Sequence, residues 1–215
     1  MRRAEKEEIS MLAELYTEHF GEAKELLGDI GVYNKLFIKF FVNGFNVLFK
    51  SYHKRGDIFV CNYNNSMTGM MIGMDNKKNT AAFRWSFYIE SAIQSATAVA
   101  KNANKISDGE MEMLNKKTKS MSDFSGIPTW SKKYCTGAYH LLVHDTNETS
   151  RSEDVCRQMF EYIFDYAKDY KAITLETYLE SNAALYEQFG FKLVKAAESK
   201  DKTLTQYRMI KYLEK

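Results

Sequence analysis

The residues able to do chemistry gather late in the chain. Residues 175–194 read LETYLESNAALYEQFGFKLV, with Glu176 inside a β-prone run, Ser181 and Asn182 at a turn, and Tyr186 a few residues beyond. A strand carboxylate is a candidate general base, and a phenol of ordinary pKa, about 10, is a candidate proton donor. His140 and His144 sit in an earlier run, GAYHLLVHD (137–145), and an imidazole of pKa about 6.5 can also take a proton from an amine. Each has a plainer reading. Ser181 and Asn182 are good helix N-caps, Tyr186 can simply pack, His140 can be a satisfied sheet residue and Glu176 a solvated one. His19 and His53 complete the histidines, and none has the HExxH spacing of a metalloprotease. Cys61, Cys135 and Cys156 are odd in number, widely spaced and free of any CxxC. They provide neither a disulfide framework nor a zinc site, and they suit a reducing cytoplasm.

The elements that must position these groups follow from periodicity. Apolar residues recur at three- and four-residue steps over 5–27 and again over 32–50, which predicts two helices. DIFVCNY (57–63), a polar NNS turn and MTGMMIGM (67–74) predict a hairpin, with Gly69 and Gly73 as sites of a bulge or close backbone approach. Residues 81–102 carry an apolar stripe of helical period, residues 107–120 read as a polar helix, and Pro128 marks a loop. Then strands and helices alternate: a strand over 137–145, an amphipathic helix over 152–170, a strand over 172–178, a short helix over 182–189 and strands over 190–198 and 203–213. This order predicts an α/β (α+β) mixed sheet flanked by helices.

Composition excludes several classes of function. Hydrophobic residues make up 45% and aromatics 14%, ample for a packed core. The 30 basic and 28 acidic residues are interspersed and leave a net charge of +2, too small a field to hold a polyanion, so nucleic acid is not expected as a partner. The opening MRRAEKEEIS has no apolar segment of signal-peptide type, and no run approaches a membrane span, so no membrane partner is expected either.

The order of these pieces resembles the GCN5-related N-acetyltransferase (GNAT) superfamily. The resemblance rests on Leu175-Glu176-Thr177, Asn182, Leu185-Tyr186-Glu187 and Gly190-Phe191, on the 57–74 hairpin, and on Tyr139 to Val143 as a fourth strand. It implies one domain over 1–215, with a helical N-terminal part (1–50), a helical insertion (75–135) and an acetyl-CoA-binding core (137–213). It implies a mostly antiparallel twisted sheet whose fourth and fifth strands splay apart to admit acetyl-CoA, the co-substrate. Leu142 and Val143 would offer backbone amides to the pantetheine arm and to the oxyanion, Asn182 would also reach that arm, and Tyr186 would protonate the departing thiolate. His140 or Glu176 would serve as base towards a small-molecule or peptide amine. A homodimer stays open.

One motif departs from the family. Its pyrophosphate loop, Gln/Arg-x-x-Gly-x-Gly/Ala, falls here on Arg151-Ser152-Glu153-Asp154-Val155-Cys156. Arg151 fits; Asp154 and Cys156 replace the two glycines. Glycine lets backbone approach phosphate closely, whereas Asp brings a side chain and a charge of the wrong sign. A second function therefore stands beside the transferase: a catalytically silent binding or scaffolding protein that kept the fold without efficient CoA binding.

Overall fold

The computed structural model describes residues 1–19, 35–63, 66–102, 123–124, 127–146 and 153–214, with Gly109, Glu112 and Lys119 between them. Its elements in chain order are β1 (Arg2–Arg3), a 3-10 turn (Lys6–Glu8), α1 (Ile9–His19), α2 (Lys35–Arg55), β2 (Asp57–Tyr63) and β3 (Ser66–Asp75). There follow α3 (Ala81–Asn102), the single turn α4 (Ser131–Tyr134), β4 (Ala138–Thr146), α5 (Glu153–Tyr166), β5 (Ala172–Thr177), α6 (Glu180–Gln188), β6 (Lys192–Glu198) and β7 (Thr205–Tyr212).

The strands form one sheet in the order β1-β2-β3-β4-β5-β7-β6. Only β4 and β5 run parallel; the other neighbours are antiparallel. This is the mixed, mostly antiparallel sheet expected. Period-two alternation sorts the side chains between two cores. Ile58, Val60, Ile72 and Met74 face Leu12, Tyr16, Phe49 and Tyr52 of α1 and α2, and all are buried. Phe59, Met71, Leu141, Ile173 and Leu175 face Met159, Phe160 and Ile163 of α5 and Ala183 and Tyr186 of α6.

Three features differ from expectation. β1 was not foreseen: Arg2 and Arg3 pair with Val60 and Phe59, and Arg3 Nη2 lies 2.6 Å from Asp57 Oδ1. α2 runs five residues past position 50 and stops where Gly56 N–H donates to the Tyr52 carbonyl (2.6 Å). Gly is required there, because a Cβ would stand 2.4 Å from the Gly73 carbonyl oxygen. Helix α6 starts at Glu180, two residues earlier than expected, because the Thr177 hydroxyl accepts the Leu179 N–H (3.2 Å) and begins the turn. Asn182 is therefore the third residue of α6, neither an N-cap nor the end of a strand. The helix over 81–102 has the bounds expected; most of 107–120 lies outside the described residues.

The Gly190-Phe191 pair ends α6 in a Schellman motif. Gly190 (φ 85°) donates its N–H to the Glu187 carbonyl (2.9 Å), and Phe191 donates to the Tyr186 carbonyl (3.2 Å). Phe191 then turns into the core against Tyr186, with ring centroids 6.3 Å apart. Tyr186 is thus held from both its backbone and its ring.

Candidate active site

β4 and β5 pair only from Ala138↔Ala172 to Leu141↔Leu175, while β4 continues beside β3 as far as Thr146. Beyond Leu141 the two strands part, and among the described residues Val143–Thr146 has ladder partners in β3 alone. A β-bulge sits at the parting point: Ile72 opposes Val143 and Gly73 opposes Leu141, so Leu142 is an extra residue. The bulge shifts the phase of the strand. Leu141 belongs to the α5 core and Val143 to the α1–α2 core, and His144 returns to the α5 side to stack on Phe160 (4.5 Å).

Glu176 is the first residue of β5 after the last β4–β5 pair, on the face that also carries Thr174 and His140. Its side chain is 6% exposed and lines a cleft of about 450 Å³ with Arg84, Tyr88, Phe124, Trp130 and Arg208. Burial pushes its carboxyl up to about 7, against the opposing pull of the Trp130 indole N–H, which donates to it, and of nearby Arg208. A carboxylate so tuned is half-ionised at neutral pH, the condition in which a general base works best.

The loop carrying Trp130 is pinned from below. Asn79 Nδ2 donates to the Pro128 carbonyl (2.6 Å), Asn76 Nδ2 to the Cys135 carbonyl (3.3 Å), and the Ser131 hydroxyl to Asn76 Oδ1 (3.1 Å). Asn76 and Asn79 are both buried, so these bonds proceed largely out of water and hold Trp130 over Glu176. On the far side, the Arg208 guanidinium lies 5.8 Å from the Trp130 ring centroid and donates through Nε to Gln206 Oε1 (2.8 Å).

No family model and no curated protein matches the sequence. Solved structures match the whole fold. One, described as a histone acetyltransferase HPA2 and related acetyltransferase from Corynebacterium glutamicum, has a TM-score of 0.57 at 14% identity, covering 99% of this chain and 95% of that one. The chain has the GNAT fold. An N-acetyltransferase from Staphylococcus aureus Mu50 (TM-score 0.55, 14% identity, 97% and 98% covered) agrees. So does yncA from Salmonella typhimurium, solved with its cofactor acetyl-CoA (0.53, 11%, 100% and 93%). At such identities the likeness speaks for the fold.

The remaining candidate residues distribute over both faces of the GNAT sheet. His140 is buried beside Glu176, with Nδ1 2.9 Å from Thr174 Oγ1 and Nε2 3.8 Å from Glu176 Oε2. Its Nε2 has no hydrogen-bond partner among the described residues. Burial lowers its pKa to about 3 and that of His144 to about 4, so both rings are neutral and weakly basic at pH 7. Of the candidate bases only Glu176 is matched to neutral pH. Tyr186 lies on the opposite face, 4% exposed, its ring 5.7 Å edge-on from both His144 and Phe160.

The phosphate-loop positions are only partly described. Arg151 and Ser152 lie outside the described residues. α5 opens at Glu153, with Asp154 exposed in its first turn and Val155 half-buried. Cys156 is 8% exposed and points inward, its Sγ 3.8 Å from His144 Nε2, and burial raises its thiol to about 11. This is a core thiol, not a reactive one. Gln206 and Arg208 escaped sequence reasoning. Nothing in the mixed polar and apolar run TQYRMIKY sets them apart; their meeting with Glu176 needs the β5–β7 register.

Proposed function

We propose that the protein is an acetyl-CoA-dependent N-acetyltransferase in which Glu176 is the general base. The observation that carries this reading is the position of Glu176: first past the parting of β4 and β5, buried in a cleft, and titrating near 7. Acetyl-CoA, when bound, supplies an acetyl group activated as a thioester. The parted strands support this: Leu142 and Val143 follow the last β4–β5 pair, on an edge with no β5 partner, and Asn182 is assigned to the same pantetheine arm from the first turn of α6, the helix that follows β5. In this reading the first-turn N–H groups of α5, at Asp154, Val155 and Cys156, receive the pyrophosphate, and Arg151 and Ser152 precede them in sequence.

Glu176 takes the proton from the amine, and the Trp130 N–H and Arg208 stabilise its ionised form. His140 keeps the space beside Glu176 filled by a neutral ring, so that no second charge competes there. Tyr186, across the sheet, is the proton donor to the sulfur. A reducing compartment such as the cytoplasm suits Cys61, Cys135 and Cys156, which are free and buried. Among the described residues no helix is long and apolar enough to cross a membrane.

Asp154 favours a second reading, the silent scaffold, because its exposed carboxylate occupies the helix end where pyrophosphate would bind. Calorimetric titration with acetyl-CoA at low and moderate salt separates the two. Micromolar binding, followed by release of free thiol on adding an amine, supports the enzyme. Absence of binding at millimolar acetyl-CoA overturns it and leaves the scaffold.

A further inference from the structure

The charges around Glu176 select among amines. Arg84 of α3 and Arg208 of β7 both line the cleft. Among the described residues neither lies at ion-pair distance from a carboxylate. Arg84 Nη1 donates to the Asn79 carbonyl and side-chain oxygens (3.0 and 3.1 Å), and Arg208 donates through Nε to Gln206; these acceptors are neutral. Asp123, the other acid of the cleft, is already met by Lys200, whose Nζ is 3.1 Å from Oδ1 and whose backbone N–H donates to Oδ2 (2.8 Å). The cleft therefore carries surplus positive charge. A polyamine would meet like charge there, whereas a substrate bearing an anion would be drawn in.

Geometry narrows the class further. Glu176 and Arg208 are directly opposed in the β5–β7 ladder. Opposed residues of an antiparallel pair carry their Cβ atoms about 4.5–5.5 Å apart, so the carboxylate and the guanidinium project side by side. An α-amino acid presents its amine and its carboxylate on a single carbon, the close spacing that such a pair can meet. With Nε held by Gln206 and the guanidinium plane set near Trp130, the two terminal nitrogens of Arg208 form a fork suited to a carboxylate. The rest of the cleft wall is large and apolar: Tyr88, Phe124, Ile127 and Trp130.

We propose that the amine acceptor is an α-amino acid with a large apolar side chain, its carboxylate held by Arg208 with support from Arg84, its amine at Glu176 and its side chain against Trp130 and Phe124. The identity of the reaction rests on the acetyltransferase reading; the recognition of the ligand does not, so the two are tested apart. Binding is measured by calorimetry without acetyl-CoA, using two matched series: phenylalanine, phenylalaninamide and phenethylamine, and leucine, leucinamide and isopentylamine. The acids should bind about ten- to a hundredfold more tightly than their uncharged-carboxyl partners, as a lost charged hydrogen bond dictates.

In Arg208→Gln that preference should fall to within about twofold, and Arg208→Lys should keep only part of it, since a lysine holds the charge without the fork. Equal or tighter binding of the amides and amines to the unmodified protein overturns the proposal, as does an acid preference that survives Arg208→Gln. Failure of both acids to bind at millimolar concentration also overturns it. If the acids bind selectively while acetyl-CoA does not, the transferase reading fails and the assignment of the cleft stands. If acetyl-CoA binds and the acids do not, the assignment fails alone.

Discussion

Replacing Glu176 by Gln should make the protein more stable at pH 8 while removing its activity. An unfolded Glu ionises at 4.5, and the folded one at about 7. Below pH 4.5 both states hold the proton and the carboxyl contributes nothing to the difference. Between 4.5 and 7 the native state keeps a proton that the unfolded state has lost, so folding becomes less favourable as pH rises. Above 7 the cost is complete, at about 3 kcal/mol, because one pKa unit corresponds to about 1.36 kcal/mol.

Gln escapes that cost. Its carbonyl can still accept the Trp130 N–H, and its shape is unchanged. The groups facing this position are His140 from β4, Arg208 from β7 and the buried phenol of Tyr52 from α2, whose pKa is raised by burial and then by Glu176. His140 has a lowered pKa, so its own contribution is lost as pH falls below the ordinary 6.5, in both proteins alike. Urea unfolding of the two proteins at pH 4.5, 6 and 8 should give a gap that opens with pH towards roughly 3 kcal/mol in favour of Gln. Over the same range the transferase rate of the unmodified protein should rise through pH 7 and that of the variant should be lower by about 10²- to 10⁴-fold. Stability curves that run parallel from pH 4.5 to 8 would refute the argument: Glu176 would then be solvated, and its fitness as a base would vanish with its raised pKa.

Tyr186→Phe keeps the ring in its aromatic nest, so the Tm should change little, whereas kcat should fall by about 10²- to 10⁴-fold if the phenol delivers the proton; an unchanged kcat removes Tyr186 from the chemistry. Asp154→Ala should strengthen acetyl-CoA binding by roughly three- to tenfold at low salt and less at high salt, read by calorimetry, since a solvated carboxylate acts through a screened field. Cys156→Gly is the poorer test of the same loop, because that side chain is part of the core. Gly73→Ala would set a Cβ 2.4 Å from the Tyr139 ring, which is fully buried and tied through its hydroxyl to Asp57 (3.1 Å). Overpacking at such a site should cost about 1–3 kcal/mol in urea unfolding.

Local signals were legible where the chain itself supplies the physics. Helical spacing marked the bounds of α3, two apolar β-prone runs on either side of Asn-Asn-Ser marked β2 and β3, and Gly190-Phe191 marked the end of α6. Signals that depend on a partner were not. A strand of two arginines has no period to read, and β1 exists because Asp57 and the β2 edge receive it. The bulge at Leu142 is announced only from the partner strand, by Gly73, where the register shifts; within β4 it is hidden, since Leu141-Leu142-Val143 is apolar throughout and a change of phase exchanges one apolar residue for another. The same blindness hid Arg208: β6 intervenes between β5 and β7 in sequence but not in space, so nothing local announces that Arg208 opposes Glu176.

The proposed base and acid, Glu176 and Tyr186, stand on opposite faces of the sheet, and the parting of β4 and β5 is what the proposal needs for both to reach one space. A closed ladder beyond Leu141 would separate Glu176 from Tyr186 by a continuous sheet, with no common space for a reacting group. Opening the ladder leaves the β5-side edge of β4 without its strand partner, a cost that a folded protein accepts only where another group can take the bonds. The bulge at Leu142 makes this tolerable by turning Val143 into the α1–α2 core and His144 into the α5 core, so the departing strand is anchored by side chains on both sides while one backbone edge has no β5 partner. Straightening the bulge would reverse both anchors. Deletion of Leu142 should therefore cost stability through Val143 and His144, and abolish acetyl-CoA binding even in molecules that fold. A deletion variant that binds acetyl-CoA normally would show that the β4 edge beyond Leu141 is not its cradle.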